Sequence, residues 1–166
     1  MYFKIWAERS QQTEESCAAT PSLVLVRTVF TLSSREMSLG KRQLLILGDV
    51  TQAFPHALLD RPVWTRIPQD ADGLEVFVDG ESVTVHAGDE VIVARALYGH
   101  RRSPKLWQAW CTKRLKSCHL KQSLVDPTVF WSATGLRVVV YVDDFIVVGE
   151  PEKCERVFAE LCGQMK

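Results

Sequence analysis

Residues 135–150 read GLRVVVYVDDFIVVGE, and the fold turns on this stretch. Two apolar, β-branched runs, Val138 to Val142 and Phe145 to Val148, flank the bare pair Asp143-Asp144. Valine-rich runs favour strands, and aspartates between two such runs favour a tight turn. The stretch therefore predicts a buried β-hairpin with two carboxylates at its tip. Adjacent carboxylates on an apolar hairpin repel each other and resist desolvation, which a hard cation such as Mg²⁺ would relieve. The bland alternative is that Asp is an ordinary turn residue and the pair is simply solvated.

A third carboxylate sharpens the first reading. Leu44 to Leu47 is another apolar run, and it ends in Gly48-Asp49. That puts an aspartate at the C-terminal edge of a second buried strand. Three carboxylates at the ends of neighbouring strands would hold two metal ions for phosphoryl or nucleotidyl transfer.

Composition bounds the classes open to the chain. Its 166 residues suit one domain or part of a larger protein, and an apolar share of 46% is ample for a packed core. With 20 basic and 20 acidic residues the formal charge is zero, so any contact with a polyanion must come from a local patch. The five cysteines, Cys17, Cys111, Cys118, Cys154 and Cys162, show no CxxC spacing and read as buried reduced thiols rather than a zinc site. The first ten residues lack a secretory apolar core and no run approaches a membrane span, so an intracellular setting without membrane contact is the expectation.

Along the chain, residues 1–19 are polar after Trp6 and read as a tail. Thr20-Pro21 predicts a helix start, with Thr20 as cap, and Leu23, Val26, Val29, Phe30 and Met37 give that helix an apolar face over about 21–37. A strand follows over 43–49. Residues 50–54 form a turn that carries Phe54 close to the end of this strand, and residues 63–66 form a short strand. Alternating valines on either side of Asp79-Gly80, then Val91 to Val93, predict a small peripheral meander. Ser103-Pro104 opens a second helix with Leu106, Trp107, Trp110, Cys111, Leu115 and Cys118 on one face, and core packing is the job expected of its tryptophans. A strand over 128–131 and the Asp-Asp hairpin come next. Pro151 starts a last helix with Cys154, Val157, Phe158, Leu161 and Met165 on one face. The order suits an α+β fold, an antiparallel sheet with helices packed on one face.

With these residues on the page, a family resemblance emerges. The chain resembles the reverse transcriptase domain of copia-type long-terminal-repeat retrotransposons, over about residues 20–165. Thr20-Pro21-Ser22 with Val26-Arg27 resembles the segment before the first catalytic strand of that family. Asp49-Val50-Thr51-Gln52-Ala53-Phe54 resembles its D-V-x-x-A-F block. Leu97-Tyr98-Gly99 through Ser103-Pro104 and Trp107 resembles L-Y-G-x-x-x-S-P-x-x-W, and Tyr141-Val142-Asp143-Asp144 resembles Y-V-D-D, preceded by Asp126-Pro127 as at the family's strand entry.

The resemblance implies a polymerase palm with partial fingers and an RNA-directed DNA polymerase activity. Template and primer would be RNA or DNA, the substrate a dNTP, and the cofactor two Mg²⁺ ions, with Mn²⁺ as a substitute. Asp49, Asp143 and Asp144 would be the catalytic, metal-binding carboxylates, with Asp49 and Asp143 taking the larger share. Phe54 would be the steric gate against a ribose 2′-hydroxyl, with core packing as its alternative role. Tyr98 and Gly99 would border the incoming nucleotide. Arg101 and Arg102 would either touch phosphate or form a solvated cationic loop. Residues 1–19 carry nothing like the family's basic R-x-V-A-x-G segment, and neither thumb nor RNase H follows Lys166, so residues 20–166 are expected to be a fingers–palm fragment. The expected alternatives are an inactive palm-like remnant that binds nucleic acid or protein, and a different metal-dependent phosphotransferase using the same carboxylates. Oligomeric state is left open.

Overall fold

A computed structural model describes residues 18–78 and 80–165. The tail expected over residues 1–19, with Trp6 and Cys17, lies outside the described residues except for Ala18 and Ala19.

The chain is mixed α and β, with antiparallel pairing throughout. The elements in order are α1 (Leu23–Ser38), β1 (Leu44–Asp49), β2 (Leu58–Arg66), β3 (Leu74–Val78), β4 (Glu81–Val85), β5 (Glu90–Arg95), α2 (Ser103–Ser117), β6 (Lys121–Gln122), β7 (Val129–Trp131), β8 (Arg137–Tyr141), β9 (Asp144–Gly149) and α3 (Pro151–Gln164). A short 3-10 turn over Phe54–His56 links β1 to β2. The central sheet runs β1-β9-β8-β7-β6, so the hairpin β8–β9 is interior and β1 is an edge.

Helices lie on both faces of this sheet, not on one as the sequence order suggests. The hairpin itself supplies the reason. Val138, Val139, Val147 and Val148 are all essentially inaccessible, and consecutive strand residues point to opposite faces. A strand apolar at successive positions must be covered twice. Phe130, Val138, Phe145 and Val147 face α2 and α3, meeting Trp107, Cys111, Leu115, Cys154, Val157 and Leu161. Val139 and Val148 face α1, meeting Val29 with Val26 and Leu25 beside it.

α1 differs from expectation at its start and on its face. Ser22, not Thr20, is the cap, its hydroxyl accepting from the Leu25 N–H at 3.2 Å. Val29 and Ser33 are its buried residues, while Leu23, Phe30 and Met37 are exposed. Its C-terminal half is tied to β8 by an Arg137–Glu36 ion pair at 3.0 Å. α2 and α3 bury the residues expected of them, with Leu106, Trp110, Phe158 and Met165 only partly covered.

The expected meander is two separate pairs. β3 pairs with β4 through the turn at Gly80, but β5 turns away and pairs with the longer β2, Trp64 opposite Ile92. Three of the cysteines, Cys111, Cys118 and Cys154, are buried free thiols, whereas Cys162 is exposed. No described helix is long and apolar enough to cross a membrane.

Candidate active site

The central hairpin closes with the shortest loop that antiparallel strands allow. Tyr141 pairs with Asp144, which leaves Val142 and Asp143 as a two-residue turn. Such a turn needs positive φ at its first position, where glycine is the favoured residue. Here Val142 takes that place, with φ of 56°. A β-branched side chain in the left-handed region costs about 1–3 kcal/mol and persists only where its surroundings hold it.

Two bonds from outside the hairpin hold this turn. The indole Nε1–H of Trp107 donates to the Val142 carbonyl at 2.6 Å, and the Val50 N–H donates to the Asp143 carbonyl at 3.0 Å. Trp107 comes from α2 and Val50 follows β1, so the turn is gripped from the helix layer and from the neighbouring strand. Sequence reading gave Trp107 a core role, and with 1% exposure it has one. The polar duty of its N–H was missed. A buried indole N–H needs a partner, and that was the available signal.

The same neighbouring strand brings the third carboxylate. β1 runs antiparallel to β9 in an unbroken register, Leu44 opposite Gly149 and so on to Asp49 opposite Asp144. Directly opposed residues share a face, so Asp49, Asp144 and Tyr141 lie on one face at one end of the sheet. That face is the α1 side. It forms a groove of about 720 Å³ lined by Pro21, Leu23 and Val26 of the α1 start and by Leu47, Asp49, Val139, Tyr141, Asp144 and Ile146 of the sheet. α1 covers Val139 and Val148 but leaves Leu47 67% exposed at the groove's edge.

Asp49 and Asp144 thus share the groove, and Asp143 sits beside it on the turn without lining it. The family pattern gives Asp143 more weight than Asp144, whereas it is Asp144 that faces Asp49. Both groove carboxylates are solvent-exposed. Among the described residues no Lys, Arg or His forms an ion pair with either. Like charges set directly opposite on a sheet are unfavourable. Two uncompensated carboxylates suit a hard cation, and Mg²⁺ commonly takes one or two such ligands with water and phosphate completing its shell. No group of three or more His, Cys, Asp or Glu side chains able to hold a metal occurs among the described residues.

The remaining sequence candidates form a second cluster. Phe54 opens the 3-10 turn after β1, is partly buried and packs on the main core. Its ring lies 4.6 Å from that of Tyr98. Gly99 follows with φ of 92°, a left-handed conformation that glycine adopts freely. None of the three lines the carboxylate groove. Arg102, from the cationic loop, is ion-paired with Asp60 of β2. No protein-family model matches the chain, and no curated protein or solved structure matches it.

Proposed function

We propose that the chain is the fingers–palm portion of a retrotransposon-type RNA-directed DNA polymerase, joining dNTPs to a primer 3′-hydroxyl. The observation that carries this reading is the register that sets Asp49 opposite Asp144, one residue from a turn bearing Asp143. It is supported by the four sequence blocks that resemble the copia-type family, since two of them supply those three carboxylates.

In this reading Asp49 and Asp144 offer hard oxygen donors to Mg²⁺ or Mn²⁺, and Asp143 adds a third from the turn. The bound ions would lower the pKa of the primer hydroxyl and neutralise charge on the triphosphate. The chain's own part is positional. The β1–β9 register fixes the separation of the two carboxylates, and the two carbonyl bonds at the turn fix Asp143. Leu47, Val139 and Ile146 give the groove an apolar wall beside the two exposed carboxylates. Phe54 and Tyr98, whose rings meet at a tilt between the turn after β1 and the loop before α2, would meet the sugar of the incoming dNTP.

The test is primer extension on an RNA template with dNTPs and Mg²⁺. The native chain should extend the primer and Asp143→Asn should not. A native chain that binds template–primer without extending it would sink the polymerase reading. One observation favours that second outcome: Asp143 lies outside the groove, leaving two facing carboxylates rather than three. The chain would then be a palm-like binding module.

A further inference from the structure

We propose that Trp107 is a positioning residue for the carboxylate turn, acting through its indole N–H on the carbonyl of Val142. The catalytic consequence rests on the polymerase reading, but the effect on the turn does not.

The turn is in a conformation that its sequence disfavours. A two-residue loop places Val142 at positive φ, where a β-branched side chain crowds its own backbone. Val-Asp has no local preference for this turn, so the conformation must be imposed from outside. The carbonyl of Val142 belongs to the peptide that leads into Asp143. Fixing that carbonyl fixes the plane of this peptide, and with it the direction in which Asp143 leaves the chain.

The donor is itself immobilised. Trp107 is fully buried in α2, and its ring stacks on Trp110 at 5.3 Å with 20° between planes. The His56 ring, from the 3-10 turn after β1, lies tilted against Trp110 at 5.3 Å. The guanidinium of Arg114 caps Trp110 at 4.8 Å. The indole therefore has little freedom to swing away from Val142. Its 2.6 Å bond spans 35 positions of sequence and joins the helix layer to the sheet end that bears the carboxylates. Val50 holds the next carbonyl, that of Asp143, so the two grips act on consecutive peptides.

Trp107→Phe keeps an aromatic ring in the core and removes only the N–H and the outer part of the indole. Residue-resolved amide hydrogen exchange separates positioning from packing, with Leu115→Ala as a variant that loosens the core generally. In Trp107→Phe, exchange at Val50 and Asp144 should rise about tenfold or more while Val147 and Leu161 change by less than about threefold. In Leu115→Ala all four should rise together. In primer extension Trp107→Phe should lower turnover about tenfold and leave the dNTP KM unchanged, the mark of misplaced reacting groups rather than lost binding. Native exchange at Val50 and Asp144 in Trp107→Phe, a uniform rise at all four amides, or native turnover would overturn the proposal. If the native chain extends no primer, the polymerase reading falls, and the exchange pattern alone decides the role of Trp107.

Discussion

Gly48 lies beneath the ring of Phe158. A Cβ built on Gly48 would come within 2.7 Å of Phe158 Cε2, closer than carbon atoms tolerate. Glycine is needed here for space, because the α3 face of β1 must pass close under that ring one residue before Asp49. Gly48→Ala should therefore destabilise the chain by about 1–3 kcal/mol, the usual cost of overpacking a core. Urea unfolding would measure it. Adding Phe158→Leu should recover part of the loss. If the double variant is no more stable than Gly48→Ala, the close contact is not the cause.

Glu36 should contribute to acid sensitivity. The hydrogen bond from Arg137 holds the Glu36 carboxyl below its ordinary value of 4.5. A folded-state pKa below the unfolded one stabilises above the unfolded value, and that stability is lost as pH falls through the folded value. Glu36→Gln should thus flatten the stability–pH curve below about pH 4.5. It should also release the α1 end from β8. An acid limb of unchanged slope in Glu36→Gln would show that other carboxylates carry it.

What local sequence could reveal, and what it could not, divides along one line. The hairpin was readable because branched apolar runs and turn aspartates are neighbours in sequence. The second and third helices were readable because Pro104 and Pro151 sit in their first turns, whereas Pro21 precedes the Ser22 cap and placed the start of α1 two residues early. The pairing of Asp49 with Asp144 was permitted but not dictated, since the register of β1 on β9 is set by packing between segments about a hundred residues apart. The same holds for β5, which leaves the β3–β4 hairpin to pair with β2. The second helix layer was in fact written in the sequence, as consecutive buried valines at 138–139 and 147–148 that one layer cannot cover. Trp107 shows the limit most clearly. Its apolar duty follows from helical spacing, but its N–H contact with Val142 follows only from tertiary structure.

Thiol reactivity should single out Cys162. Burial pushes the Cys111 thiol up to about 12 and those of Cys118 and Cys154 up to about 11. At pH 8 these three remain protonated and covered, and only a thiolate reacts. Among the described cysteines Cys162, exposed on α3, should be labelled first by a disulfide reagent, as mass mapping of the labelled peptides would show. The buried three should follow only on unfolding. Equal labelling of Cys154 in the folded chain would mean that α3 lifts from the sheet.

Phe54 carries two expectations that one variant separates. Its ring packs on the core and on Tyr98, so Phe54→Ala should cost about 2 kcal/mol of stability through a partly open cavity. If the ring also excludes a ribose 2′-hydroxyl, the same variant should incorporate ribonucleotides in primer extension. Tyr98→Phe, which keeps the ring contact, should not. Destabilisation with ribonucleotides still excluded would leave Phe54 a packing residue alone.

The facing carboxylates make opposite predictions with and without metal. Asp49 and Asp144 stand opposed on β1 and β9, with no cation partner for either among the described residues. In metal-free solution the like charges oppose pairing, so Asp49→Asn should stabilise the chain by about 0.2–1 kcal/mol. With Mn²⁺ at about a hundred times its dissociation constant, the native chain should gain about 2.7 kcal/mol by mass action. Asp49→Asn should lose that gain, and Asp144→Asn should lose it equally. Thermal melts with chelator and with Mn²⁺ read both effects on the same samples. A metal-dependent gain that survives in Asp49→Asn would place the ion elsewhere and remove Asp49 from the site.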